Sequence, residues 1–574
     1  MALLGNIGLP IKFHSRSTNF NSKFFDIRKR TIQKPRQLAR TAYTVQKHQV
    51  DFDFLPDYQR KLEDVRHLLI ESRNKDEDPI GSLIFVDAIQ RLGISHHYQD
   101  EIEAILEHHY VKTSHRIYRF RSLHDIALSF RLFRQRGYHV SADVFNNFKG
   151  ENGKFKDEVK QDTKGLLELY EATQVSFVGE DILDEAEEFS KRHLNKRVEA
   201  NLDDYKWSNN IRMRLRHPVR KSITRVTGTN NFLNHGLRGL NGCGQLLGEL
   251  ANMDIRIGRL IYQKELLQVS KWWKGLGLTD ELKLVRNQPI KWYTWSMAIL
   301  IGGVSLSEQR VQLSKSIAFI YLIDDIFDLY GTLDELAIFT EAVDKWDYES
   351  MDMLPNYMKT CYKALLDTTN EIGHTVSEKY GYNPINTLKQ TWTSLCKAFL
   401  VEAEWFASDH LPKAEDYLAN GKVSSGVHVV LVHLFYLLGL GPTNKGSICF
   451  DDTSTLISCV AAILRLWDDL GSAKDEHQNG NDGSYMECYM IDHDDLTYKQ
   501  VREHVMNRIA KEWKYLNKEC FHLKHWPFQE ACLNLARMVP PMYGYDDNQR
   551  LPILEEFVNF VLLNPTENLK EIDF

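Results

Sequence analysis

The sequence predicts an all-α protein built from two helical domains. Three observations carry that prediction. From about residue 51, apolar residues recur three and four positions apart, and no stretch keeps the period-two alternation of a strand. Proline is scarce, 15 in 574 residues, which suits long helices. A glycine- and asparagine-rich stretch, Thr227 to Asn231 and then Gly236 to Gly244, breaks the pattern once, and 574 residues exceed what one core supports.

Taken in order, residues 1–45 differ from the rest. Lys12, Arg16, Lys23, Arg28, Lys29 and Arg30 face one acid, Asp26, among serines 15, 17 and 22. A basic, hydroxylated, acid-poor start has the composition of an organelle transit peptide, with a disordered basic tail as the alternative. It points to a plastid, with the cytosol as second choice. Residues 51–225 form the first helical domain. Leu62, Val65, Leu68 and Leu69 share a helical face, as do Ile102, Ile105 and Leu106. Ser122 can start a helix that Gly137 stops, and Ser141 can cap the next, with Val144, Phe145 and Phe148. Residues 226–245 read as a linker and 246–574 as a second helical domain, with Trp272 and Trp273 in its first long helix. Gly331 can end a helix, and Thr332 with Glu335 forms a capping-box pattern for the following one.

Composition excludes several classes. Apolar residues at 43% and charged residues at 26% describe a soluble globular chain. No apolar run reaches the roughly 20 residues of a membrane span. A net charge of −7 without long basic stripes argues against nucleic acid as the main partner. The eight cysteines are scattered without a CxxC, so neither a disulfide framework nor a cysteine zinc site is expected.

The chemistry concentrates in the second domain. The mostly apolar stretch Ile317 to Ile323 runs into Asp324, Asp325 and Asp328. Asp324 and Asp328 lie roughly 40° apart on one helical face. Carboxylate oxygens on one face suit Mg²⁺, which is commonly held by one or two carboxylates and a substrate phosphate. An acidic helix end facing water is the alternative. A second apolar stretch, Leu456 to Leu464, runs into Arg465, Asp468, Ser472 and Glu476. The last three drift only about 80° around a helix and offer three oxygens to one ion. Arg465, one turn before Asp468, could reach an anionic ligand. Two such clusters in one domain are harder to dismiss than one.

These residues carry a resemblance. Asp324-Asp-Ile-Phe-Asp328 resembles the aspartate-rich motif of plant class I terpene synthases. Asp468-Asp-Leu-Gly-Ser472-Ala-Lys-Asp-Glu476 is similar to their second metal motif, (N/D)DxxSxxxE. Phe130 to Gly137, Glu180 to Glu185 and Gln263 to Trp273 extend the likeness over nearly the whole chain. The resemblance implies an amino-terminal α-barrel-like domain without activity of its own, then a class I terpenoid synthase α-bundle. It implies a small prenyl diphosphate substrate, three Mg²⁺ ions (Mn²⁺ as a substitute) and a monomer. Asp324 and Asp328 would hold two ions, and Asp468, Ser472 and Glu476 the third, with Asp325 as a further candidate ligand. Arg286 and Arg465 would face the diphosphate. Trp295 falls where the family places a pocket-floor aromatic, and core packing is its equal alternative.

The chain departs from the family pattern twice. Cyclising relatives carry Arg-x-Arg where this chain reads Arg286-Asn287-Gln288. A tandem Arg-Arg followed by Trp is typical near the start of cyclic monoterpene synthases. Here the window holds Arg40-Thr41, with Val50 in place of Trp. Both departures resemble the subfamily that makes acyclic tertiary alcohols: linalool from geranyl diphosphate and nerolidol from farnesyl diphosphate. Synthesis of another acyclic or a cyclic terpene, a chain-elongating prenyltransferase and a non-catalytic helical binding protein are the alternatives. Asp492-His-Asp-Asp495 reads as a loop with capping aspartates. His96-His97, His108-His109 and the pair His522 and His525 lack a cysteine or carboxylate context for zinc. Residues 477–484 read as a lid candidate. Ser424-Ser-Gly426 reads as a helix start from its residues and as a helix break from the resemblance. Tyr543 and Tyr545 are candidate pocket residues.

Overall fold

A computed structural model describes residues 55–73, 79–114, 122–200, 205–223, 243–278, 282–408, 410–441, 453–472, 483–523, 526–546 and 550–563. The expected transit segment, most of the linker and the lid stretch up to residue 482 lie outside the described residues, as do Glu476 and His525. Among the described residues there is no strand, only an isolated bridge between Lys149 and Phe155. The α-helices are α1 (Leu55–Arg73), α2 (Pro79–Arg91), α3 (Gln99–Ser114), α4 (Leu123–Gln135), α5 (Thr163–Thr173), α6 (Asp181–Glu199), α7 (Tyr205–Arg216) and α8 (Gly244–Gly275). There follow α9 (Pro289–Ile299), α10 (Ser307–Leu329), α11 (Leu333–Lys345), α12 (Asn356–Tyr380), α13 (Ile385–Ala407), α14 (Ala414–Ser424) and α15 (Val427–Leu437). The last are α16 (Ser454–Ser472), α17 (Tyr485–Asp492), α18 (Tyr498–His522), α19 (Trp526–Tyr543) and α20 (Pro552–Leu562).

Two compact units result. One takes Gln49–Leu260 together with Trp513–Gln529; the other takes Ile261–Glu512 and Glu530–Phe574. The division falls inside α8. The inserted piece is tied down by Asn517, whose amide donates to Gln174 O and Ser176 O and whose Oδ1 accepts from Arg220.

The first unit folds as its punctuation predicts. Ser122 accepts from the Asp125 amide at the start of α4, and Gly137 turns the chain beyond its end at φ 81°. Ser141 caps a 3₁₀ helix, Ala142–Phe148, where a helix of unspecified type was expected. The Phe130–Gly137 segment is a set of anchors. Arg131 donates to Asp87, and Arg134 clamps Glu180 and Val140 O. Around Asp87, Glu168 and Glu171, the guanidiniums of Arg91, Arg131 and Arg214 supply compensating charge in the interior.

The histidine pairs need one correction. His97 does have a carboxylate partner: Asp254 of α8 lies 2.7 Å from its Nε2, brought there by packing that sequence spacing cannot report. His109 is buried against Ser82.

In the second unit α10 is central, packed against α9, α12, α13 and α15. The capping box of Thr332 and Glu335 forms as expected. Burial near α15 has a pH consequence. His433 is buried with Nδ1 donating to Val429 O, and His428 donates Nε2 to Thr391 O. Burial pushes both imidazoles down to about 4. Their folded pKa is depressed below the unfolded value of about 6.5. The unfolded chain therefore binds the extra protons first as pH falls. The contribution of these two rings is full above about pH 6.5 and is lost between 6.5 and 4, on the order of 3 kcal/mol per ring. Urea unfolding of wild type and His433→Phe across that window checks this; the variant is expected to show the shallower loss.

Candidate active site

The apolar turns of α10 anchor the helix, and its acidic end sits at the edge of the core. Asp325 is 1% exposed and is claimed by the loop before α9. The Arg286 backbone N–H donates to Asp325 Oδ2 at 2.7 Å, and Nε donates to Oδ1 at 2.6 Å. Nη2 of the same arginine donates to Asp324 and to Tyr321 O. The Leu284 amide is held by the Tyr330 hydroxyl, which fixes the other end of this loop. Burial raises the Asp325 carboxyl to about 6, and Arg286 opposes that rise. Asp325 thus orients an arginine, while Asp324 and Asp328 stay half-exposed on the neighbouring face.

Opposite stands α16. Arg465 is 3.7 Å from both Asp468 and Asp469 and 3.6 Å from Glu402 of α13. Its side chain lies over Gly421 of α14, where a Cβ would meet Arg465 Cγ at 2.9 Å. Asp469 is buried, accepting from the Tyr417 hydroxyl and the Tyr485 amide, and burial raises it to about 7. Asp468 is left with a side chain 40% exposed. Ser472 is the last residue of α16.

The two acidic ends share one electrostatic neighbourhood. Partial desolvation raises Asp468, and Asp324 adds to the rise against Arg465 and Lys291. Glu402 is raised by burial, then relieved by Arg465 and Ser424 and pushed up again by Asp328 and Asp324. The converging donors are hard carboxylate oxygens that repel one another, a set that fits Mg²⁺.

Between them lies an aromatic wall. Trp295 of α9 is 5% exposed and donates Nε1 to the Tyr321 hydroxyl at 3.1 Å. Tyr543 lies 6.3 Å from its ring, and a Cβ on Gly471 would meet Tyr543 O at 2.6 Å. The Ser424–Gly426 segment is a helix break. Gly426 has φ 71° between α14 and α15, and a Cβ there would meet Ile320 of α10 at 2.7 Å. Ser424 donates to Glu402 at 2.6 Å and accepts from Arg465. Sequence reading missed Glu402, Lys291 and Tyr417. Each is a single polar residue on an otherwise ordinary helix, with no local signal. Asp492 to Asp495 ends α17 in an exposed turn, in line with the loop reading.

An all-α unit that brings two carboxylate-bearing helix ends together beside buried aromatics defines a metal-dependent enzyme for a phosphate-bearing apolar substrate. The comparisons make that class specific. Residues 27–218 match the terpene synthase N-terminal domain, and residues 274–515 match the terpene synthase family metal binding domain. A chloroplastic tricyclene synthase of Antirrhinum majus is 58% identical over 88% of this chain and 87% of its own. An (E)-nerolidol synthase of Cannabis sativa is 45% identical over 88% and 92%. The structure of isoprene synthase from grey poplar leaves, with three Mg²⁺ ions and dimethylallyl-S-thiolodiphosphate, matches 89% of this chain and 98% of its own. Its TM-score is 0.80 at 31% identity. The chain belongs to the plant terpene synthase family. It is a Mg²⁺-dependent terpene synthase with the family's two-domain all-helical fold, acting on a prenyl diphosphate, and its chloroplastic relatives place it in the plastid. No helix among the described residues is long and apolar enough to cross a membrane.

Proposed function

We propose that this monomeric enzyme ionises geranyl diphosphate and releases linalool, and that it converts farnesyl diphosphate to nerolidol when offered it. The observation that carries the reading is the pair of acidic helix ends, each served by its own arginine, whose carboxylates act on one another. Asp324 and Asp328 are assigned to two ions, and Asp468, Ser472 and Glu476 to a third. When bound, magnesium offsets the diphosphate charge and acts as a Lewis acid on the leaving group. Arg286 stands beside Asp324 and Arg465 beside Asp468, and both take up further anionic charge as the allylic C–O bond breaks. Trp295, Tyr321 and Tyr543 offer π faces to the cation and keep bulk water out. One water adds at the tertiary carbon C3 and loses a proton, leaving the alcohol and free diphosphate.

The acyclic outcome rests on Gln288, which stands where cyclising relatives carry a second arginine. A second reading, a cyclic monoterpene product, is favoured by the 58% identity to a tricyclene synthase. Incubation with each diphosphate and Mg²⁺, followed by gas chromatography and mass spectrometry, decides between them. Linalool and nerolidol as main products are expected; tricyclene or another ring as main product overturns the acyclic reading.

A further inference from the structure

Gln288 is the N-cap of α9, and its side-chain Oε1 is buried with no hydrogen-bond partner. One helical turn further on stands Lys291. Its ammonium lies 5.9 Å from the centre of the Tyr321 ring, and the Arg286 guanidinium lies 4.9 Å from the same ring. Among the described residues no carboxylate lies within ion-pair distance of Lys291, and no acceptor takes its protons. A half-buried cation without an anionic partner is one that a bound anion would complete. Burial and the charge of Arg286 lower its pKa to about 8, with Asp468 opposing. Those neighbours place it at the active centre, beside Tyr321 and within reach of the Arg286 and Asp468 charges.

We propose that Lys291 is a diphosphate-binding residue, supplying from one turn along α9 the positive charge that Gln288 does not. The proposal rests on the reading of this site as a prenyl diphosphate site. A lysine is a point charge on a flexible stem, whereas arginine is a planar fork. The diphosphate is then held by one guanidinium and one ammonium, so the leaving group is gripped less rigidly once the bond has broken.

The test uses the full-length enzyme and inorganic pyrophosphate with Mg²⁺, by titration calorimetry, beside kinetics with geranyl diphosphate. Lys291→Gln is expected to weaken pyrophosphate binding about ten-fold and to raise KM, with an unchanged thermal midpoint. Lys291→Arg is expected to restore most of the affinity. Equal pyrophosphate affinity in wild type and Lys291→Gln overturns the proposal while leaving the site reading intact. Failure of wild type to bind pyrophosphate with Mg²⁺ removes the site reading and this proposal with it.

A separate observation lies in the first unit. The short 3₁₀ turn Ser95–His97 stacks two consecutive imidazoles with ring centres 3.8 Å apart. His96 Nε2 and His97 Nε2 lie 3.7 Å and 2.7 Å from Asp254 Oδ1. Two ligand atoms on a tetrahedral zinc sit about 3.3 Å apart, a value these distances bracket. The Tyr58 hydroxyl lies 2.8 Å from the same carboxylate oxygen and 3.0 Å from His97 Nε2, contacts that a bound ion would replace. Both imidazoles are partly exposed, so an ion has a way in.

We infer that His96, His97 and Asp254 form a binding site for a zinc-like divalent ion, independent of the magnesium site. Co²⁺ is the probe, added to the full-length Asp324→Ala/Asp468→Ala enzyme, in which each acidic helix end has lost a carboxylate. One equivalent with the intense visible absorption of a tetrahedral ion is expected, and at least ten-fold weaker binding in the added His96→Gln variant. No tetrahedral spectrum, or the same affinity after His96→Gln, overturns the inference.

Discussion

Asp324→Ala is expected to lower kcat by at least about 10³-fold while the protein stays folded. The two halves of that result have different origins. Asp324 has a side chain 32% exposed and shares Arg286 with Asp325, so its removal leaves the arginine with both hydrogen bonds to Asp325. The loop before α9 should therefore hold. What is lost is a carboxylate at the mouth of the site, where charge must be neutralised as the bond breaks. Asp325→Ala should behave differently. It removes the acceptor of the Arg286 amide and side chain together, so the thermal midpoint should fall along with turnover. Circular-dichroism melting and Mg²⁺-dependent release of pyrophosphate, measured on both variants, separate the roles. A folded Asp324→Ala enzyme with undiminished pyrophosphate release would falsify the assignment of Asp324.

Much of this arrangement was legible in the sequence. Asp324 and Asp328 could be put on one face because helical periodicity is a local property. The caps at Ser122 and Thr332 were legible for the same reason: each is decided within four residues. The partners were not. Glu402 reaches Arg465 across 63 positions, since 465 − 402 = 63, and Asp254 reaches His97 across 157. Periodicity says which face of a helix is buried but not which neighbour meets it. Ser424 shows both limits together. Its residues suit a helix start, and one does follow at Val427, but the break matters because Gly426 lets α10 approach and frees Ser424 to bridge Glu402 and Arg465. Ser141 shows a smaller one, since a capping serine marks where a helix begins and not which kind.

Arg310→Met is expected to be the most destabilising single change in the catalytic unit, costing about 3–5 kcal/mol. Arg310 is fully buried on α10 and meets Glu265 of α8 side-on, with Nε to Oε2 at 2.8 Å and Nη2 to Oε1 at 2.7 Å. Its remaining protons go to the carbonyls of Leu300, Gly302 and Gly303, which form the turn after α9. Tyr293 donates to the same glutamate, and Tyr262 to Gly302 O. One guanidinium thus joins α8, α9 and α10 and fixes the helix that carries Lys291 and Trp295. Methionine fills a similar volume but strands the Glu265 carboxylate, and a buried unpaired charge costs more than the pair contributes. Adding Glu265→Gln should therefore recover a substantial part of the loss, because the stranded charge is gone and Tyr293 keeps an acceptor. Urea titration of the two single variants and the double variant measures this. Equal destabilisation by Arg310→Met with and without Glu265→Gln would show that the carbonyl contacts, and not the ion pair, carry the cost.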